Sequence, residues 1–209
     1  MPAPRKFTKE RLCEAALALV DEHDLAGLTM RSLAGALGTG AMTIYNYVEG
    51  RSGLERLVTE AVMAQVRWEP VPEDWAGEVS AIAEGMWRAV RAHPHAIPLI
   101  LTRRSLDLGT LEPAEALLHA LARSGRSGSE LLVAFRVVSG YVTGFAQAEL
   151  AGLLSLAHGE DPASVTERIA ELPADRFPKL IEIAQAARES EAAEEFRAGL
   201  RIVLTGLGE

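Results

Sequence analysis

The sequence predicts an all-α protein, with three short helices at its N-terminal end and a larger helical region behind them. Three observations carry this. Apolar residues recur at helical spacing along most of the chain, beginning with Leu12, Ala15, Ala16, Leu19 and Val20. Hydrophobic residues make up 48% of the 209 positions but aromatics only 5%, so the core is built from Ala, Leu, Val and Ile, as in packed helices. No alternating apolar–polar run bounded by hairpin turns occurs, and no internal repeat of fixed period.

The elements follow in order. Thr8 is placed to cap a first helix that stops near Asp24, with Cys13 beside its stripe as a small buried hydrophobe. Gly27 breaks the pattern, and Thr29 caps a short helix over 30–37. Gly38-Thr39-Gly40 reads as a tight turn, since Gly tolerates φ > 0. A third helix follows over 41–48, and Glu49-Gly50-Arg51 is another turn. Ser52 then caps a connector reaching Arg67, and Pro70 and Pro72 mark a junction. Helical patterning resumes over 74–92, is broken by His93-Pro94 and Pro98, and returns over 113–123, 129–156, 162–171, 174–189 and 192–207. The polar stretch 158–163 reads as a loop. The expected division is 1–51, then the connector 52–67, then 68–209.

Two short helices around a Gly-containing turn make a helix-turn-helix, with Leu33, Ala34, Leu37, Ile44 and Val48 packed inward. That leaves Ala41, Met42, Thr43, Tyr45, Asn46 and Tyr47 as outward positions on the second helix, which in this motif enters the major groove. From Arg11 to about Val66 the chain resembles the DNA-binding domain of the TetR (tetracycline repressor-like) transcriptional regulators. The residues that carry the resemblance are Ala15-Ala16, Leu19, Gly27-Leu28-Thr29, Arg31, Leu33-Ala34, Leu37-Gly38, the run from Thr43 to Val48, Arg51 and Leu54. A weaker likeness to the tetracycline-repressor branch runs through Trp75, His93, Thr102-Arg103 and the helix from Leu131 to Leu154. The resemblance implies an N-terminal helix-turn-helix DNA-binding domain and a C-terminal helical ligand-binding and dimerisation domain. It also implies a homodimer that binds an operator and lets go when a small molecule occupies the C-terminal domain.

Net charge is −8, so contact with nucleic acid must come from a local patch. The first 66 residues carry seven basic and eight acidic side chains, but Arg5, Lys6, Lys9 and Arg11 face only Glu10 near the start, and Arg31 and Arg51 flank the second helix. Cations so placed can neutralise phosphates; the plainer alternative is a solvated terminal charge run. Thr43 can donate to a phosphate or touch a thymine methyl, Asn46 can read adenine, and Met42 and Ala41 offer apolar contact. Tyr45 and Tyr47 can donate to phosphates, and Tyr47 can instead pack on the following helix. Where the branch opens this helix with a larger polar residue, the chain has Ala41. Thr29, beside its capping role, belongs with the DNA-binding set.

The stretch Leu131–Phe145 is apolar nearly all round, and Phe196, Leu200, Val203, Leu204 and Leu207 form a second stripe. A two-fold four-helix bundle, two helices from each subunit, buries both and supplies the two reading heads that a palindromic site needs. An effector pocket is expected between the connector-side helices and the long apolar helix. Its candidate lining is Ile82, Met86, Trp87, Ile97, Ile100, Leu101, Leu117, Phe135, Val138 and Tyr141. Arg103, His119, Thr143 and Gln147 add polarity. The positions at which the resemblance places drug and magnesium anchors hold Ala64, Ile82, Met86 and Ile100. The implied effector is therefore a hydrophobic small molecule rather than tetracycline-magnesium.

Other chemistries find little support. One cysteine excludes an internal disulfide and a cysteine-based zinc site. His93-Pro94-His95 lacks a nearby third metal ligand. No phosphate loop, nucleophile elbow or His-Glu-x-x-His motif is present, so no metal, cofactor or enzymatic activity is expected. The first residues contain no secretory h-region. The apolar run after Leu131 is broken by Arg136, Gln147 and Glu149 and falls short of the roughly 18 apolar residues a spanning helix needs. A reduced, cytoplasmic protein without membrane attachment is expected. The competing reading is a helical protein-interaction module that does not bind DNA.

Overall fold

The computed structural model describes residues 7–102, 108–151 and 162–208; among them are eleven α-helices and no strand. The chain divides into two compact units, at Arg126 and Ser127. The division does not fall at Pro70 and Pro72, because the helices after them pack back onto those before.

In the first unit, α1 (Lys9–Gly27) starts at Thr8, whose side chain accepts from the Arg11 N–H at 3.3 Å. It is broken at His23 and Asp24, the latter with φ of 53°, so the regular helix ends where the sequence expects. Its buried stripe is Leu12, Cys13, Ala16, Leu17 and Val20. Ala15 and Leu19, expected on that stripe, are only half-buried, and Leu17 takes their place where the helices over 30–36 and 50–63 and the turn 94–96 pack on α1. α2 (Met30–Ala36) carries a capping box: Thr29 accepts from the Ser32 N–H at 3.0 Å, and Ser32 accepts from the Thr29 N–H at 2.9 Å. Gly38, at φ +62°, makes the turn to α3 (Ala41–Tyr45). α3 ends three residues earlier than expected: Asn46 caps it, still in helical conformation and exposed, and Tyr47 and Val48 form the turn that follows.

α4 (Gly50–Met63) begins after Glu49, so Ser52 lies in its first turn and does not cap it. It ends at Met63 rather than Arg67, whose guanidinium instead donates to the carbonyls of Ala64 and Val66. Every residue of α4 from Gly53 to Met63 is buried except Arg56, because α1 and the helices over 75–91, 97–102 and 108–122 all pack on it. α5 (Trp75–Arg91) is capped by Asp74. A 3-10 turn, Pro94–Ala96, leads into α6 (Ile97–Thr102). Pro98, read as a breaker, sits in the first turn of α6, where a missing N–H costs nothing. α7 (Leu108–Ala122) starts before Pro113, which it carries within.

The second unit holds α8 (Gly128–Ala151), α9 (Pro162–Ala170), α10 (Pro178–Glu189) and α11 (Ala192–Gly208). Ile169 and Ala184 join α9 to α10, with Leu172 and Leu180 around them. α8 packs on α11 through Tyr141, Phe145 and Phe196, with ring centroids 5.3 to 5.7 Å apart. A Cβ on Gly199 would run into the Tyr141 hydroxyl, so glycine there lets the two helices close. Gly128–Glu149 is long and apolar enough, at mean hydropathy 1.3, to cross a membrane. That corrects the expected shortfall: the three charges in the span, Glu130, Arg136 and Glu149, do not lower the mean hydropathy far enough to exclude it. The polar loop expected at 158–163 and the last turns expected of this helix lie outside the described residues, apart from the start of α9.

Candidate nucleic-acid interface

A five-residue helix has no stability of its own in water. α3 exists because Ile44 and Val48, 0% and 3% exposed, lock it onto Leu33 and Ala34 of α2 and onto Leu28, all buried. The inward face foreseen from the sequence is thus the one that forms, with Leu37 half-buried at its edge. The outward face follows. Met42 is 78% exposed and Tyr45 55%, large apolar groups turned to solvent where burial would ordinarily be favoured. Asn46 is exposed, and Ala41 and Thr43 are half-buried beside them. Arg31 projects from α2, exposed.

Three residues of the expected set have other partners. The Thr29 hydroxyl is engaged in its capping box. The Arg51 guanidinium donates to the carbonyls of Leu28 (2.5 Å) and Leu25 (2.7 Å), and its Nε pairs with Glu55 at 2.9 Å. It braces the start of α4 against the loop that precedes α2, where a free phosphate ligand was expected. Tyr47 lies beyond α3, half-buried. Its hydroxyl accepts from the Phe7 N–H at 3.3 Å, and its ring meets Phe7 edge-on at 6.1 Å. Because α3 stops at Tyr45, Tyr47 turns toward the N-terminal segment. In the basic cluster, Lys9 pairs with the buried Glu60 at 3.1 Å and Arg11 with Glu14 at 3.8 Å. Arg5 and Lys6 lie outside the described residues.

The expected effector residues divide between the units. In the first, Ile82, Met86 and Trp87 are buried on α5, with the Arg91 guanidinium 5.2 Å from the Trp87 ring centre. Ile97 and Leu117 are buried and Ile100 is half-buried. Ala64 is the exposed residue closing α4. His119 is not a lining group of this unit: its side chain is 77% exposed and pairs with Glu115 at 3.1 Å, one turn back on α7. Arg103 lies outside the described residues, and the Leu101 side chain with it. In the second unit Val138 is buried, Phe135 half-buried and Gln147 exposed. Thr143 donates back to the Ser139 carbonyl at 2.9 Å. Tyr141, expected to touch effector, is a packing residue: its hydroxyl donates to the Phe196 carbonyl at 2.8 Å. Burial, and then the neighbouring Glu195 carboxylate, push its phenol above the ordinary value.

The brace at Arg51 and the Phe7–Tyr47 contact were not read from the sequence. Arg51 binds backbone carbonyls, which leave no mark in residue identity. Phe7 stands alone before the first cap, with no periodicity to assign it a face.

The family model for the tetracyclin repressor-like C-terminal domain matches residues 69–209. The chain is 28% identical over 214 aligned residues to the HTH-type transcriptional repressor DrrR1 of Streptomyces coeruleorubidus, covering 96% of this chain and 77% of that protein. It is 30% identical over 167 residues to an HTH-type transcriptional regulator of Saccharopolyspora erythraea, covering 79% and 68%. Among solved structures, apo ActR from Streptomyces coelicolor superposes with a TM-score of 0.79 at 26% identity, over 99% of this chain and 97% of that one. ActR in complex with actinorhodin gives 0.78 at 27% identity, over 98% and 96%. The chain belongs to the tetracycline repressor-like (TetR) family and is a ligand-responsive, DNA-binding transcriptional regulator.

Proposed function

We propose that the protein binds a palindromic operator as a homodimer and is released from it by a hydrophobic small molecule. The observation that carries the reading is the face of α3. Met42 and Tyr45 stand exposed beside Asn46 and Thr43, on a helix held by Ile44 and a capped α2. Thr43 and Asn46 meet base edges, Met42 and Ala41 give apolar contact, and Tyr45 and Arg31 meet phosphates, with Arg5 and Lys6 reaching the backbone from the N-terminal segment. Thr29, Tyr47 and Arg51 support this face rather than touch DNA. The functional divisions are the reading head 1–51, the connector 52–67 and the regulatory region 68–209.

The dimer is supported by the second unit. Val133, Val137, Gly140 and Gly144 lie on one face of α8, all exposed, and Ile202 on α11 is 76% exposed. Apolar and small residues in such a stripe fit a second copy packed as a four-helix bundle, and this reading places the molecule in the cytoplasm rather than in a membrane. The effector is proposed to touch Ile82, Met86, Trp87 and Ile100 of the first unit. ActR, a relative in fold and sequence, has been solved with actinorhodin bound. Ala64, Ile82, Met86 and Ile100 offer magnesium no oxygen or nitrogen side-chain ligand, so calorimetry with tetracycline and magnesium is expected to give no binding heat; tight binding would overturn this part. No enzymatic role is proposed.

The test is DNA affinity. With a duplex selected by the protein from random fragments, Tyr45→Ala and Arg31→Ala each weaken binding about tenfold or more while the dimer stays folded. Unchanged affinity for both variants sinks the placement of α3 in the groove.

A further inference from the structure

His93-Pro94-His95 has no part in the interface above, yet it joins three segments of the first unit. His93 Nδ1 lies 2.9 and 3.0 Å from the two carboxylate oxygens of Asp21 on α1. A carboxylate only accepts here, so Nδ1 carries the proton and donates. The other ring nitrogen, Nε2, lies 3.1 Å from the Gln65 side-chain amide, just past the end of α4, and with the proton on Nδ1 it accepts from that amide's N–H. The His93 ring itself is only 13% exposed, while Asp21 and Gln65 reach it from the surface. Two residues on, His95 Nδ1 is 3.1 Å from the Val20 carbonyl, near the end of α1. Helix ends leave carbonyls without intrahelical donors and carry partial negative charge; a histidine N–H there answers both. Just after His95, Ala96 is fully buried, and the 3-10 turn packs against α1 and α4. The chain then runs directly into α6.

One turn therefore grips both helices that carry the reading head, α1 through Val20 and Asp21, and the exit of α4 through Gln65. We propose that His93 and His95 form a clasp through which the regulatory region holds the head in its DNA-binding arrangement, and that effector release works by opening it. The proposal rests on the effector-released dimer described above and assigns its coupling to particular side chains. His93 and His95 are positioning residues: neither faces the outward side of α3. An open clasp frees the head to drift, so the two heads of a dimer lose their fixed separation.

The experiment compares wild type with His93→Phe, Asp21→Ala, the double variant and Gln65→Ala on the selected duplex, at a temperature well below unfolding. Each duplex is made in two forms, as selected and with one base pair inserted between the half-sites. Wild type is expected to lose about tenfold or more on the insertion, because rigid heads match one spacing. His93→Phe and Asp21→Ala are each expected to bind the selected duplex about tenfold more weakly than wild type, with the double variant no weaker than either single. The insertion should cost them less than about threefold, a change that simple loss of stability would not produce. The salt dependence should stay that of wild type, since no phosphate contact is removed. Gln65 is exposed, so Gln65→Ala folds and is expected to shift spacing tolerance the same way. Wild-type affinity and spacing dependence in all variants, or additive losses in the double variant, overturn the clasp alone. A wild type indifferent to the insertion removes the fixed-head dimer, and the clasp with it.

Discussion

Arg51 carries a full positive charge at the edge of the reading head, but its three bonds go to Leu25, Leu28 and Glu55. Arg31 is exposed on the helix before the turn. The two arginines therefore separate by what their loss removes. Arg51→Gln leaves two loop carbonyls without their donor and is expected to cost about 1–2 kcal/mol of stability, read as a lower Tm. DNA binding by the folded fraction should keep the wild-type salt dependence. Arg31→Gln is expected to leave Tm unchanged and to reduce the slope of log affinity against log salt by about one phosphate contact. Opposite outcomes for the pair would reassign both residues. This division was only half legible beforehand. Thr29 could be placed as a cap, because its bond runs to Ser32 three residues on, at a fixed helical offset. Arg51 could not, because its backbone acceptors lie 23 and 26 residues back, in the stretch between the kink of α1 and the start of α2, whose path only the folded chain defines.

Among the elements, α8 and α11 depend on Tyr141, whose hydroxyl is tied to the Phe196 carbonyl and whose phenol burial and Glu195 hold above its ordinary value. A raised value means that the folded chain keeps this proton more tightly than the unfolded chain. The stability so gained is complete below the unfolded phenol value of about 10 and is lost as pH climbs through the folded value. Tyr141→Phe should therefore melt below wild type at pH 7, by the loss of one hydrogen bond worth about 1 kcal/mol. The gap should narrow above pH 10, where wild type loses its advantage. Melting curves from pH 7 to 11 check this, and a gap constant across that range would remove Tyr141 from the account. Helix placement was largely legible, because 3.6-residue periodicity survives without knowledge of neighbours. Helix ends were not: α3 stops at Tyr45 and α4 at Met63 because backbone packing and local caps override the apolar pattern that continues past both. Pro113 inside α7 is the same lesson at a residue expected to begin the helix. The candidate face of α3 was legible from spacing alone at Met42, Tyr45 and Asn46, and failed at Tyr47, the first position for which the early helix end mattered.

For the whole molecule, the decisive surface is the exposed stripe of α8. By length and hydropathy Gly128–Glu149 meets the terms of a membrane segment, but exposure is confined to a face. Ala134, Val138, Val142 and Ala146 are buried on one side, while Val133, Val137, Gly140 and Gly144 are exposed on another. Two small residues four apart on that face let a second helix approach closely, since glycine allows close backbone contact. Val137→Glu tests this without disturbing the core, because Val137 is already 43% exposed in the single chain. A carboxylate buried between two copies would have no partner on the two-fold axis and would repel its own symmetry mate. The variant is expected to scatter light as a 22.4 kDa monomer where wild type scatters as twice that mass. Losing the second head turns bivalent into single-site binding, so affinity for the selected duplex should fall by about a hundredfold or more. A monomeric variant that still binds the duplex as wild type does would show that one head suffices, and a dimeric variant would move the interface away from this stripe.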